Sequence, residues 1–227
     1  MWQKIRTSEL NRHCHDEAYA ALVIAGGYEE AGDQGRFKVS AGTVVFHDQF
    51  EAHLDRFSSE SATVLNLWLP SGCCYTAGIA SVTDPDRVVG MAERCCRTAL
   101  NLLLSSASRL APEIRDWPDE LAATLIQSPS IKLSQWAEEK GLSAWKVSRG
   151  FAQVFGISPE GFRARTRARR ALKLIQNSNQ PLASVAAELD FADQSHMARS
   201  VKQLTGAAPQ TWRSAANRFK TGRQLEM

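Results

Sequence analysis

The sequence predicts an α+β chain of two modules, a β-rich N-terminal half extended by helix and an all-α C-terminal hundred residues. Three observations carry this reading. The first seventy residues hold short β-branched and aromatic runs separated by turn residues. After Pro70 the apolar period becomes helical. From Arg149 onward the chain repeats itself at an offset of fifty.

The predicted strands are Ala20-Ala21-Leu22-Val23-Ile24, Arg36-Phe37-Lys38-Val39, Thr43-Val44-Val45-Phe46 and the run from Thr63 to Leu69. Gly26-Gly27, Gly32-Asp33-Gln34-Gly35, Ala41-Gly42 and Ser58-Ser59 supply the turns. Many short strands with regular turns point to a sandwich or small barrel. Asp84-Pro85 then offers an N-cap and a first helical residue. Val88, Met91, Ala92, Cys95, Ala99, Leu102 and Leu103 follow at helical spacing, which predicts one amphipathic helix to Ser106. That helix either packs on its own β domain or forms a subunit interface. Cys95 and Cys96 fall on or beside its apolar stripe, where cysteine acts as a small hydrophobe. A Pro-punctuated stretch from Ala111-Pro112 to Trp117-Pro118 and a short helix near 119–127 lead to a boundary at Ser128-Pro129. The expected domains are therefore 1–80, a helical segment 81–127, and 128–227.

Charge divides the chain at the same place. Residues 1–127 carry 11 basic against 17 acidic side chains, and residues 128–227 carry 16 against 7. A net +9 on the second half marks it as the side suited to phosphates. No apolar run approaches the length of a membrane span. The start, Met1-Trp2-Gln3-Lys4-Ile5-Arg6, lacks the apolar stretch of a signal peptide, so a cytoplasmic protein is expected. The five cysteines, Cys14, Cys73, Cys74, Cys95 and Cys96, are an odd set with two adjacent pairs, so reduced thiols are expected.

The repeat pairs Arg149 with Arg199, Gln153 with Gln203, Gly156 with Gly206, Pro159 with Pro209, Phe162 with Trp212 and Arg163 with Arg213. Each copy reads helix, tight turn, helix. In the first, Leu133, Trp136 and Ala137 face inward, Gly141 ends the helix, and Ser143 caps a second helix with Val147, Phe151, Val154 and Phe155 inside. In the second, Leu182, Val185, Ala186 and Leu189 lead to Asp190-Phe191-Ala192, and Asp193 caps a helix with Met197, Val201 and Leu204 inside. Two helices joined by a tight turn form a helix-turn-helix, expected over 133–155 and 182–205, whose second member enters the major groove. Its outward residues here are Ala144, Trp145, Lys146, Ser148 and Arg149, then Gln194, Ser195, His196, Arg199 and Lys202. Arg and Gln make bidentate contacts to guanine and adenine edges, while Ser and Lys reach bases or phosphates. Ser158-Pro159 starts a connecting helix to about Asn177, roughly 28 Å long, against about 34 Å for one turn of B-DNA. Its basic run, Arg163, Arg165, Arg167, Arg169 and Arg170, lies where phosphates are within reach.

Residues 128–218 resemble the AraC-type transcription regulators. The likeness rests on the pattern from Ser143 to Pro159, the helix with Ala168, Arg169 and Ala171, and the stretch from Phe191-Ala-Asp-Gln-Ser-His to Gly206, Pro209 and Arg213. It implies asymmetric promoter sites on double-stranded DNA and activation through contact with RNA polymerase. Trp145, Ser148 and Arg149, then Gln194, Ser195, His196 and Arg199, match the family's base- and backbone-contacting positions. Asp190 stands where the family usually has Gly, and Gly150 falls inside the first recognition helix at a cost of about 1 kcal/mol.

Such regulators often carry a cupin-like β-barrel that senses a small molecule. His13-Cys-His15, the strand from Gly42 and His53 after Gln49-Phe50-Glu51 resemble that barrel's motifs. His13 and His15, two apart on a strand, would face one side, and with His53 they either line an effector pocket or make a three-nitrogen metal site. Tyr19 falls near where the enzyme motif has its carboxylate, Glu17 is poorly spaced to replace it, and His47 either contributes or lies at the surface. The expected protein is an effector-responsive regulator, a possible homodimer through the 84–106 helix, not an enzyme, with no cofactor and no membrane partner. The alternatives are a metal-dependent cupin enzyme fused to a DNA-binding domain, with a divalent metal, or a metal or redox sensor using Cys73-Cys74 or Cys95-Cys96.

Overall fold

The computed structural model describes residues 2–5, 8–57, 61–70, 73–111 and 113–224, with side chains to 217. The predicted turn at Ser58-Ser59 and Pro112 lie outside the described residues. By contact the chain parts into two compact units, Met1–Leu121 with Arg149–Ile157, and Ala122–Ser148 with Ser158–Met227. The sequence-based boundaries stood after residues 80 and 127. The difference arises because later strands and helices pack on the β domain.

The first unit holds strands β1 Trp2–Ile5, β2 Glu9–Cys14, β3 Tyr19–Ala25, β4 Gly27–Gly32, β5 Gly35–Ser40, β6 Thr43–His47, β7 Ala52–Phe57, β8 Ala62–Trp68, β9 Gly78–Val82 and β10 Ala107–Arg109. They form two antiparallel sheets, ordered β1-β8-β3-β6-β9-β10 and β2-β7-β4-β5. β3 explains the arrangement. Its residues Tyr19 to Val23 are all buried, an unbroken run that marks a strand covered on both faces. Tyr19, Ala21 and Val23 join Phe37, Val39, Val45, Val64 and Ile79 in one core, which takes residues from both sheets. Ala20 and Leu22 point the other way, with Val44, Phe46, Leu65 and Leu67, and meet Val88, Ala99, Leu100 and Leu103. Side chains of successive strand residues alternate in direction, so one strand serves two cores.

The helical residues of that second core correct the sequence reading. The expected single helix over 84–106 is two helices, α1 Pro85–Ala92 and α2 Cys96–Ser106. Asp84 caps the first as expected, accepting from the Arg87 amide at 3.0 Å. The chain then turns, with both Arg94 N and Cys95 N bonded to the Met91 carbonyl and Cys95 extended at φ −157°. A straight helix of that length would run about 33 Å, whereas two helices packed on each other and on one sheet bury both apolar stripes. Cys95 and Cys96 lie at the turn and are exposed, so they are not core hydrophobes. All five cysteines are free thiols.

α3 Trp117–Gln127 begins in this unit. Arg36 holds its start through a bidentate pair to Asp119, at 2.9 and 2.7 Å, and a further bond to Asp116 at 2.7 Å. The segment Arg149–Ile157 belongs to the same unit. Arg12 donates to the Phe155 carbonyl at 2.8 Å, and Arg56 to those of Val154 and Gln153 at 3.1 and 2.6 Å. Guanidinium groups thus satisfy carbonyls that a helix end leaves open. Gly150 also finds its reason here, since a Cβ would come within 2.5 Å of Trp117 Cζ2.

The second unit is helical: α4 Leu133–Glu139, the start of α5 Ala144–Phe155, then α6 Pro159–Asn177, α7 Leu182–Glu188, α8 Gln194–Thr205 and α9 Pro209–Gln224. α6 is its spine, burying Phe162, Thr166, Ala168, Arg169, Ala171, Leu172 and Ile175, and α7, α8 and α9 pack on it. The two tight turns follow the repeat. Gly141 has φ 63° and Asp190 has φ 56°, so the residue that departs from the family's glycine adopts the same left-handed conformation. Aspartate tolerates that region better than most residues. Arg163 and Arg213 also do one job twice. Arg163 donates to the Ile131 carbonyl at 2.9 Å and Arg213 to that of Gln180 at 2.5 Å. Each carbonyl lies two residues before the first helix of its helix-turn-helix.

Truncating a residue shared by sheet and helix tests the second core. Leu103→Ala should lower the unfolding free energy by about 2–5 kcal/mol, read by urea denaturation. Arg97→Ala, exposed on the same helix, should change it by less than about 0.5 kcal/mol.

Candidate nucleic-acid interface and the polar interior of the β domain

The second helix of each helix-turn-helix, α5 and α8, starts on a side-chain cap. The Lys146 amide donates to Ser143 Oγ at 3.2 Å, and the His196 amide to Asp193 Oδ1 at 2.6 Å. Val147, Phe151 and Phe155 are buried on α5, and Met197 and Val201 on α8. The opposite faces are polar. Ala144, Trp145, Lys146, Ser148 and Arg149 are exposed on α5, as are Gln194, Ser195, Arg199 and Lys202 on α8. Trp145 is 67% exposed, the most of the large apolar side chains on the described surface. His196 differs, being half-buried with its ring edge-on to Phe191 at 5.3 Å.

Four of the five arginines in the basic run of α6 are turned to their neighbours or buried, which its composition does not suggest. Arg163 bonds Ile131 as described, Arg167 donates to the Asp190 carbonyl at 3.1 Å and lies over the Phe191 ring at 4.8 Å, and Arg169 is buried. Arg170 donates to the Ile126 carbonyl. These guanidiniums brace helix ends and turns. Their spacing on a helix that packs on several neighbours was the available signal, because a spine has little solvated face.

Two helix-turn-helix units joined by one helix, each with a capped and outwardly polar second helix, define the class of this domain. Residues 136–215 match the helix-turn-helix domain family. The arabinose operon regulatory protein of Escherichia coli is 33% identical over 89 residues, which are 39% of this chain and 30% of that protein. The transcriptional regulator ExsA of Pseudomonas aeruginosa is 30% identical over 78 residues, 34% of this chain and 28% of that protein. Residues 136–215 are therefore a helix-turn-helix domain similar to those of these regulators. The chain matches less than a third of the length of these curated relatives. Among solved structures, unsaturated fatty acid-bound ToxT of Vibrio cholerae aligns at 10% identity and a TM-score of 0.42, covering 93% of this chain and 92% of that one. The C-terminal domain of the response regulator AraT of Geobacillus stearothermophilus aligns at 22% identity and 0.41, covering 48% and 88%.

In the β domain, His13, His15 and His53 do converge. His13 and His53 are register partners on β2 and β7, with ring centroids 4.4 Å apart. β2 ends at Cys14, so strand alternation places only His13, and His15 reaches the group from beyond the strand, 5.1 Å from His13. One nitrogen from each of the three lies within 4.8 Å of the others. His13 Nδ1 donates to the Asn11 carbonyl at 2.8 Å and His53 Nδ1 to Asp55 Oδ1 at 2.9 Å. Tyr19 donates its hydroxyl to His53 Nε2 at 3.1 Å. Burial and the neighbouring imidazoles lower the His15 value to about 4, and burial likewise lowers that of His13.

Deeper in the same interior is a group the sequence reading did not assemble. Glu30 on β4, His47 at the end of β6, and Glu51 just before β7 are all buried to within about one per cent. His47 is therefore interior and not a surface residue. Its ring stacks on Tyr19 at 4.5 Å and on His53 at 4.6 Å. Alternation along β4 and β7, with Tyr28 beside Glu30 and Phe57 beyond Asp55, was the signal that both carboxylates point inward. Burial pushes Glu30 up to about 8.

The pH dependence follows from that shift. Folded Glu30 keeps a proton that the unfolded chain releases near 4.5, so unfolding becomes easier as pH rises from about 4.5 to about 8. Glu30→Gln lacks this contribution. The wild type should lose stability relative to the variant between those values by an amount on the order of a few kcal/mol. Urea unfolding of both chains across the window measures it, and parallel curves would contradict the assignment.

Proposed function

We propose that this chain is a sequence-specific transcription regulator, and an activator, that docks both recognition helices into double-stranded DNA and responds to a small molecule bound in its β domain. The observation that carries the reading is the pair of capped second helices whose buried faces are apolar and whose exposed faces offer Trp145, Ser148 and Arg149, then Gln194, Ser195 and Arg199. A spine of nineteen residues joins the units, close to one helical repeat of duplex by length. In this reading the protein works in the cytoplasm, engages RNA polymerase, acts as a homodimer and catalyses no reaction. Among the described residues no helix is long and apolar enough to cross a membrane.

The His13, His15 and His53 convergence favours a second reading, a metal-dependent enzyme or metal sensor joined to the same DNA-binding domain. His13 gives Nδ1–H to the Asn11 carbonyl, an arrangement that leaves its Nε2 for a ligand bond. Metal analysis separates the readings. Near-stoichiometric iron, manganese or zinc that disappears in a His13→Ala, His15→Ala variant would support the second.

The DNA reading makes a sharper demand. Crosslinked genomic sites supply a candidate operator, and mobility shifts on it should show Arg199→Ala binding weaker by about 1–3 kcal/mol with relaxed preference at one base pair. Equal losses on operator and random duplex would remove the base-reading role. No binding of the wild type to any duplex at low salt would remove the whole proposal.

A further inference from the structure

Beyond that reading, we propose that Glu30, His47 and Glu51 form an inner site for a divalent first-row transition cation, distinct from the histidine group of His13, His15 and His53. The carboxylates face different nitrogens of the His47 ring. Glu30 Oε2 lies 3.6 Å from His47 Nε2, and Glu51 Oε1 lies 3.6 Å from His47 Nδ1. Those separations are too long for hydrogen bonds. A given ion takes only one ring nitrogen, and the Glu51 Oε1–His47 Nδ1 separation is close to the spacing of two ligands on one ion, since donors about 2.1 Å from a tetrahedral metal lie about 3.4 Å apart.

Both Glu30 oxygens and both His47 nitrogens are buried without a hydrogen-bond partner. A buried carboxyl group left so is costly even while it holds its proton, and coordination, which displaces that proton, is one of the few ways to satisfy it. The ion-pair neighbours of Glu30 are His47 and His53, neither a permanent cation. The surroundings are those of ligands already held in place. Glu51 is fixed through Oε2, which accepts from the Asp48 amide at 3.0 Å and from Gln34 at 3.3 Å, and this turns Oε1 toward His47. Stacking between Tyr19 and His53 locks the His47 ring. Such supports orient first ligands in metal sites.

One donor atom from each of the three residues lies within 4.8 Å of the others. Glu30 is the ligand that moves to close the set, because no hydrogen bond restrains its oxygens. His53 stays with Asp55 and Tyr19 and forms a wall of the site. An imidazole with two carboxylates suits zinc, manganese or iron(II) and leaves open positions for water or an anionic ligand.

The test uses the full chain, stripped with a chelator and titrated with Co2+ followed by visible absorption, with zinc as competitor. About one equivalent should bind, should persist in the His13→Ala, His15→Ala variant, and should weaken roughly tenfold or more in Glu30→Gln and His47→Gln. X-ray absorption of the zinc-loaded wild type needs no variant and should show a shell of oxygens with a single imidazole. Absence of binding, loss of binding with His13 and His15 alone, or a shell of three imidazoles would each overturn the inner site. None of these outcomes bears on whether the helical domain binds DNA.

Discussion

Each unit is organised around one element that is buried on more than one side. In the first unit that element is β3. Because Tyr19, Ala21 and Val23 face between the sheets while Ala20 and Leu22 face the helices, β3 cannot slip by one residue without exchanging two cores. The register that pairs Tyr19 with His47 also brings both rings to the same interior, so the packing of the strand and the chemistry of the polar group are set together. In the second unit α6 has the corresponding position, and Arg163, Arg167 and Arg170 along it hold its neighbours.

The polar interior is unusual because its members depend on one another. Asp55 orients His53, His53 accepts from Tyr19, and Tyr19 stacks on His47. Each of these groups would be expensive to bury alone. A network in which one member also holds a raised proton affinity is poised to change when a proton, an ion or a small molecule enters. The apolar core of the other face, built from leucine, valine, alanine and Phe46, has no such sensitivity.

The two helix-turn-helix repeats of the helical half were readable from the sequence, while the roles of the α6 arginines were not. The caps, apolar stripes and turns of those repeats depend on neighbours within four positions, so Ser143, Asp193, Gly141 and Asp190 declare themselves locally. The β half was readable only in part. Strands such as Thr43–His47 were visible from composition, but β2, β4 and β7 carry charged and histidine residues inward and look like surface. Which of those residues meet is decided by pairing across the sheets, information that spacing along the chain does not hold. The division of the long amphipathic segment into α1 and α2 failed for the opposite reason. Its periodicity continues through the break, and only the extent of the sheet beneath determines where the chain must turn.

Gly150 has a further consequence for anyone altering this protein. Replacing a mid-helix glycine by alanine is a standard route to a sturdier fold, since it removes backbone freedom from the denatured chain. Here the added methyl would meet the Trp117 ring at 2.5 Å and 2.9 Å, so the usual remedy turns into a collision. The flaw in the helix is the socket for an indole.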